Sequence, residues 1–146
     1  MCSRKIVLTV AMAMLLFSCK KDKIEYEVMP VIEFISISPD PVKEFQPLTI
    51  IFKYTDGDGD LGENDPTIKN LFITDNRVAV TYEYRINQLS PDNTNIPIQG
   101  KLETIIDNAV INGTAVEQTV TYSIYIVDRA GHKSNEITTS SIVIKQ

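Results

Sequence analysis

Residues 78 to 86 read Val-Ala-Val-Thr-Tyr-Glu-Tyr-Arg-Ile, and this stretch decides the fold class. Every second side chain in it is large and apolar. Successive side chains of a β-strand point to opposite faces, so the alternation predicts a half-buried strand. The residues predicted to face inward are Val78, Val80, Tyr82, Tyr84 and Ile86.

The same two-residue period recurs on both sides of this stretch, and no 3.6-residue apolar stripe accompanies it. It places Leu48, Ile50, Phe52 and Tyr54 on one face of residues 47 to 54, and Val120, Tyr122, Ile124 and Ile126 on one face of residues 118 to 127. Further runs occupy residues 31 to 38, 96 to 106 and 142 to 144. The first of these is closed by Pro39 and Pro41, which favours an edge strand.

The patterns indicate about seven short strands over roughly 115 residues. This strand number and spacing are typical of an immunoglobulin-like sandwich. We therefore predict an all-β protein with a single immunoglobulin-like antiparallel β-sandwich over residues 30 to 146. A lipocalin-like barrel is disfavoured, because it usually needs about eight strands and a larger apolar interior.

The N-terminus has the composition of an export signal. Arg4 and Lys5 precede a 12-residue apolar run, Ile6 to Phe17, that only Thr9 interrupts. A membrane-spanning helix needs about 20 such residues, so the run predicts a secretory signal peptide over residues 1 to 18.

The four residues that end this segment, Leu16-Phe17-Ser18-Cys19, resemble the bacterial lipobox. The Lys-Lys pair that follows is similar to the tethers of Bacteroidota lipoproteins. The resemblance implies that Cys19 carries a covalent lipid and becomes the new N-terminus, followed by a flexible tether to residue 29. Since more than one acyl chain is needed for stable attachment, such an anchor would be effectively permanent. The alternative is a plain secretory signal that leaves Cys19 a free thiol.

Charge and cysteine content exclude several classes of function. Of the 14 basic residues two lie in the predicted signal, while all 19 acidic residues follow it, so the mature chain carries a net charge of −7. Nucleic-acid binding needs clustered Lys and Arg and is therefore set aside. The two cysteines are Cys2 and Cys19. With one removed and one lipidated, the domain has no thiol for a disulfide, a nucleophile or a zinc site.

The most distinctive chemical feature is the loop of residues 54 to 65, Tyr-Thr-Asp-Gly-Asp-Gly-Asp-Leu-Gly-Glu-Asn-Asp, with five carboxylates in ten residues. Closely spaced oxygen ligands on a glycine-rich curve suit Ca²⁺, which takes six to eight oxygens. An EF-hand is excluded, because counting from Asp56 puts Leu61 at the glycine position and Thr67 at the bidentate glutamate position. The loop predicts a calcium site of another kind.

A second loop is expected to complete this site. The loops after the second and sixth strands of an immunoglobulin-like sandwich lie at the same end. This places Asp128 and Asn135 near Asp56, Asp58 and Asp60, and these five are the predicted metal ligands. The alternative is that the aspartates cap turns and bind water while the glycines supply positive φ.

Catalysis is not indicated. His132, Asp128 and Ser134 lie within one hairpin, too close in sequence to align nucleophile, base and orienting group. Acids on a glycine-spaced turn also lack the desolvated setting that glycoside hydrolysis requires. The sequence therefore predicts a protein that is not an enzyme.

Residues 127 to 135, Val-Asp-Arg-Ala-Gly-His-Lys-Ser-Asn, resemble the Asp-x-Ala-Gly-Asn-x-Ser hairpin of secreted bacterial immunoglobulin-like domains, with His132 in place of the usual Asn. Together with the acidic loop and the lipobox, the chain resembles small Bacteroidota lipoproteins. The resemblance implies an immunoglobulin-like fold and an outer membrane lipoprotein of the bacterial envelope, held to the membrane by lipid. We therefore expect a non-enzymatic interaction or structural module with an unknown protein or glycan partner. The alternative function is a glycan-binding accessory of a polysaccharide-uptake system.

Overall fold

A computed structural model describes residues 26 to 146. The predicted signal peptide, Cys19 and most of the predicted tether lie outside these residues. Within them the chain is all-β, and no helix is long and apolar enough to cross a bilayer. Ten strands are present: β1 (Val31–Ser38), β2 (Val42–Lys43), β3 (Leu48–Asp56), β4 (Leu71–Asp75), β5 (Val80–Tyr84), β6 (Ile98–Ile106), β7 (Glu117–Val120), β8 (Tyr122–Ile126), β9 (Ile137–Thr138) and β10 (Ile142–Lys145).

The strands form three sheets with the orders β1-β3-β6, β2-β10-β7 and β5-β4-β8-β9. All pairs are antiparallel except β2 with β10, which is parallel. The predicted all-β sandwich is confirmed. The predicted number of about seven strands is wrong, because two strands are only two residues long and because residues 118 to 127 form two strands rather than one. A break at Thr121 separates β7 from β8, and the two halves belong to different sheets.

One hydrophobic core joins the three sheets. It is built from the apolar faces that the two-residue period predicted on β3, β7, β8 and β10, all nearly or fully buried. Burial of each such side chain contributes about 1.5 to 3 kcal/mol to folding. Among the described residues, the buried core extends from Ile32 to Ile144.

The stretch from Val78 to Ile86 is only partly inward. Ile86 is buried, and Tyr82 and Tyr84 pack against the core. Val78 and Val80 are 44% and 49% exposed, so the prediction for these two residues is wrong. The reason is their position: Val78 lies in the turn between β4 and β5, and Val80 starts β5, which is the edge strand of its sheet.

Candidate metal centre

The acidic loop begins inside the sheet. Asp56 is the last residue of β3 and has the same parity as Phe52 and Tyr54, so its side chain points toward the core and is fully buried. Leu61, five residues on, is also fully buried and fixes the far side of the loop. Its backbone N–H donates to Asp56 Oδ2 over 2.8 Å. The apolar Leu61 and the buried end of β3 therefore hold the intervening acidic residues in a tight curve.

Two glycines make this curve possible. Gly59 and Gly62 have φ of +75° and +90°, a left-handed region that residues with a Cβ adopt at a cost. A Cβ on Gly59 would also collide with the carbonyl oxygen of Ile96, and one on Gly62 with that of Asn87. The loop thus packs backbone against backbone at both positions. On the entry side, Gly57 N–H donates to the carbonyl of Glu27 over 2.9 Å, so part of the predicted tether contacts the loop.

The hairpin after β8 supplies the fourth carboxylate. Asp128 accepts from the backbone N–H of His132 over 2.7 Å at Oδ1, and its Oδ2 lies 2.9 Å from His132 Nδ1. This hydrogen bond and the charge of Asp128 raise the pKa of His132. The Asp128 side chain is fully buried.

Backbone contacts tie the hairpin to the acidic loop. Ala130 N–H donates to Asp60 Oδ2 over 2.9 Å, and Arg129 N–H donates to the Asp60 carbonyl over 3.3 Å. The Arg129 guanidinium donates to the carbonyl of Gly62 over 3.0 Å. The two loops are therefore held together by hydrogen bonds to the Asp60 carboxylate and to the carbonyls of Asp60 and Gly62.

Four of the five predicted ligands meet at this point. Asp56, Asp58, Asp60 and Asp128 each offer an oxygen, and these four atoms all lie within 4.8 Å of one another. The amide of Asn135, the fifth predicted ligand, is engaged by β1. Its Oδ1 accepts from Ile32 N–H and its Nδ2 donates to the Ile32 carbonyl, at 2.8 and 2.9 Å, so it attaches the hairpin to β1 instead. We therefore leave Asn135 out of the ligand set.

Three of the four clustered aspartates have a carboxylate oxygen without a partner within the described residues. Oδ1 of Asp56, of Asp58 and of Asp60 are all buried without a hydrogen bond. Buried polar atoms are almost always hydrogen-bonded, and an ionised carboxylate without compensation is costly. Burial, together with the nearby Asp58 and Asp60 carboxylates, raises the pKa of Asp56 from 3.8 to about 6. Burial and the neighbouring acids also raise the pKa of Asp60.

The other two carboxylates of the loop have a different role. Asp65 Oδ1 accepts from the N–H and the hydroxyl of Thr67, and Glu63 Oε1 accepts from the N–H groups of Asn64 and Asp65. They cap turns at the surface, as the alternative interpretation of the loop predicts. The loop thus divides into three carboxylates that converge on Asp128 and two that do not.

The donor set suits a hard cation. It consists of carboxylate oxygens alone, and neither a cysteine nor the imidazole of His132 is among them. Oxygens within 4.8 Å of one another can share one Ca²⁺, because ligand oxygens at 2.3 to 2.6 Å from that ion lie up to about 5 Å apart. A shared proton between Asp56 and Asp58 is the competing way to satisfy these oxygens. Such a proton would still leave Oδ1 of Asp60 without a partner.

Sequence reasoning missed Arg129 and Leu61 as supports of the site. The one available signal for Leu61 was a large apolar residue inside an acidic run. His132, Asp128 and Ser134 do not line up as a triad: the Ser134 hydroxyl donates to the Asn135 carbonyl and accepts from Ile126 N–H.

Comparison with protein-family models, with curated proteins and with solved structures gives no match. The fold defines the chain as an all-β sandwich, and its function must be argued from the site.

The raised pKa of Asp56 predicts how the metal-free protein responds to pH. The folded state binds a proton more tightly than the unfolded chain, so between pH 7 and pH 5 protonation of Asp56 favours folding. In chelator at pH 7, Asp56→Asn should be more stable than wild type, because the amide oxygen keeps the bond from Leu61 without the buried charge. By pH 5 this difference should shrink. Urea unfolding of both proteins at the two pH values measures it, and a difference independent of pH would contradict the burial of this charge.

Proposed function

We propose that this chain is a lipid-anchored lipoprotein of the bacterial outer membrane, whose β-sandwich is a non-enzymatic interaction or structural module stabilised by Ca²⁺. The observation that carries the proposal is the group of buried, unpartnered carboxylate oxygens on Asp56, Asp58 and Asp60, which face Asp128 from a second loop. A cation there would satisfy all of them at once.

Calcium would take the place of a disulfide in this domain. The acidic loop follows β3 of one sheet and the hairpin follows β8 of another, so a shared cation would crosslink the two sheets at one end of the sandwich. Without a cation the four carboxylates repel one another, and this repulsion lowers the stability of the folded state. The test is the thermal response to calcium of the wild type and of Asp56→Asn.

The anchor is supported by the residues before the sandwich. A positive start, a 12-residue apolar run and Leu16-Phe17-Ser18-Cys19 are the parts of a lipoprotein signal, and a charged spacer follows. The sandwich then begins 12 residues after Cys19, at Val31. A module fixed this close to a membrane surface is suited to holding a partner at that surface.

The anchor predicts that Cys19 is the site of lipid attachment. Cells that express the full chain and are fed radiolabelled palmitate should incorporate label into the protein, and detergent should be needed to release it from membranes. Cys19→Ala should abolish both properties, while Cys2→Ala, which alters the other cysteine, should leave them unchanged. Label that persists in Cys19→Ala would refute the lipid anchor.

A further inference from the structure

A polar cavity of about 590 Å³ opens beside the cation cluster. Two of the proposed ligands, Asp58 and Asp60, form part of its wall, whereas Asp56 and Asp128 are buried and do not line it. The segment after Pro91 contributes Asp92, Asn93, Thr94 and Asn95 to the lining, and Arg129 completes it. The cation cluster therefore borders this cavity through Asp58 and Asp60.

A Ca²⁺ held by the four aspartates would have coordination positions left for other ligands. If each of the four aspartates donates one oxygen, a Ca²⁺ that takes six to eight ligands keeps about two to four positions free. Since Asp56 and Asp128 are buried and only Asp58 and Asp60 line the cavity, we expect the free positions to lie on the cavity side. Water or the oxygens of a ligand can fill them.

Charge decides which ligand oxygens are favoured. Calcium offsets two of the four carboxylate charges, and Arg129 offsets Asp92, so the lining keeps a negative balance even with the cation bound. A carboxylate or phosphate ligand would be repelled. Neutral hydroxyl groups would not, and two neighbouring hydroxyls can fill two calcium positions while donating to the surrounding carboxylates.

The exposed amides add further recognition. Asn93 and Asn95 are solvent-exposed on the lining. Each amide provides both donors and an acceptor, as a hydroxyl-rich ligand requires. No aromatic ring belongs to this lining, so stacking would not contribute and binding would be weak.

From this arrangement we infer that the cavity binds neutral, polyhydroxylated ligands, namely sugars with a vicinal diol, through a Ca²⁺ held by Asp56, Asp58, Asp60 and Asp128. The inference rests on the proposed calcium site and names the ligand class for it. It also gives the glycan-binding alternative a specific location.

The test is saturation-transfer NMR on the full chain in detergent-containing buffer, with the methyl glycosides of mannose, glucose, galactose and fucose at millimolar concentration. Calcium binding is measured on the same samples by calorimetry. With calcium, at least one neutral glycoside should show transfer, the signal should vanish in chelator, and a glucuronide should bind less well than the matching glucoside. Asn95→Ala should weaken the interaction about fivefold, as expected for one lost hydrogen bond, without changing the calcium isotherm.

Several outcomes would overturn the inference. If calcium binds and all four glycosides are silent, the inference fails while the calcium site stands. If calcium does not bind at all, the proposed site fails first and the inference fails with it. Sugar binding that survives in chelator, or a preference for the glucuronide, would contradict the role given to the cation or to the charge of the lining.

Discussion

Calcium should raise the melting temperature of the full chain by about 10 °C when its concentration exceeds the dissociation constant a hundredfold. A ligand that binds only the folded state at that excess contributes about 2.7 kcal/mol, and 1 kcal/mol shifts the midpoint of a domain of this size by roughly 4 °C. The physical source is the release of repulsion among four clustered carboxylates. Differential scanning calorimetry with calcium and with chelator measures the shift.

Two variants separate this effect from general screening of an acidic protein. Asp56→Asn keeps the acceptor for Leu61 N–H but removes one ligand charge, so its melting temperature should respond little to calcium. Asp107→Asn makes the same chemical change at an exposed residue outside the cluster and should retain the whole shift. An equal calcium response in Asp56→Asn, or none in the wild type at millimolar calcium, would count against the site.

Gly59→Ala should destabilise the protein by about 2 to 4 kcal/mol and weaken calcium binding at least tenfold. An alanine at a φ of +75° has backbone strain on the order of 1 to 2 kcal/mol. Its Cβ would also collide with the Ile96 carbonyl. Because the colliding atom belongs to the backbone, the loop itself must move. Asp58 and Asp60, on either side, would move with it.

Gly113→Ala is the matched control for this substitution. Gly113 has a similar φ of +92°, but a Cβ there would meet no atom within 4 Å. It should therefore cost only the strain of about 1 to 2 kcal/mol and leave calcium affinity unchanged. Chemical unfolding of both variants, with calorimetric titration of each, compares the two positions. Equal losses in stability would show that backbone crowding at Gly59 is unimportant.

The parts of the fold that sequence predicted well are those with full alternation on a central strand. The inward sets on β3 and β8 are buried as expected, because both strands lie between two neighbours in their sheets and cover the core for their whole length. Val120, which ends the edge strand β7, is buried as well. Residues 78 to 86 alternate just as clearly, yet Val78 and Val80 are exposed. Alternation shows which side chains share a face but not how far the opposite sheet extends over them.

The strand β4 was missed altogether. Its five residues, Leu71–Asp75, follow a long polar loop and include only two buried aliphatic side chains, Leu71 and Ile73. The apolar alternation of β4 is too short to indicate a strand from the sequence, although β4 pairs with both β5 and β8. Its position is set by tertiary pairing, which a period of two cannot encode over so few residues.

The strand order predicted which two loops meet at the candidate site, but not every side chain in it. Placing the loops after two strands at one end of a sandwich brought Asp128 to Asp56, Asp58 and Asp60, and the structure places them together. The same reasoning could not assign Asn135, whose amide matches the backbone of Ile32 instead. Side-chain direction within a hairpin depends on local hydrogen bonds that the sequence alone does not specify.

The central claim is that one Ca²⁺ is held by these four aspartates, and isothermal titration of the full chain with calcium tests it most directly. We predict one site per chain in the wild type and in Asp107→Asn, with affinity reduced about a hundredfold or more in Asp56→Asn, where a buried ligand charge is lost. The absence of binding heat at millimolar calcium, or an unchanged isotherm in Asp56→Asn, would contradict the claim.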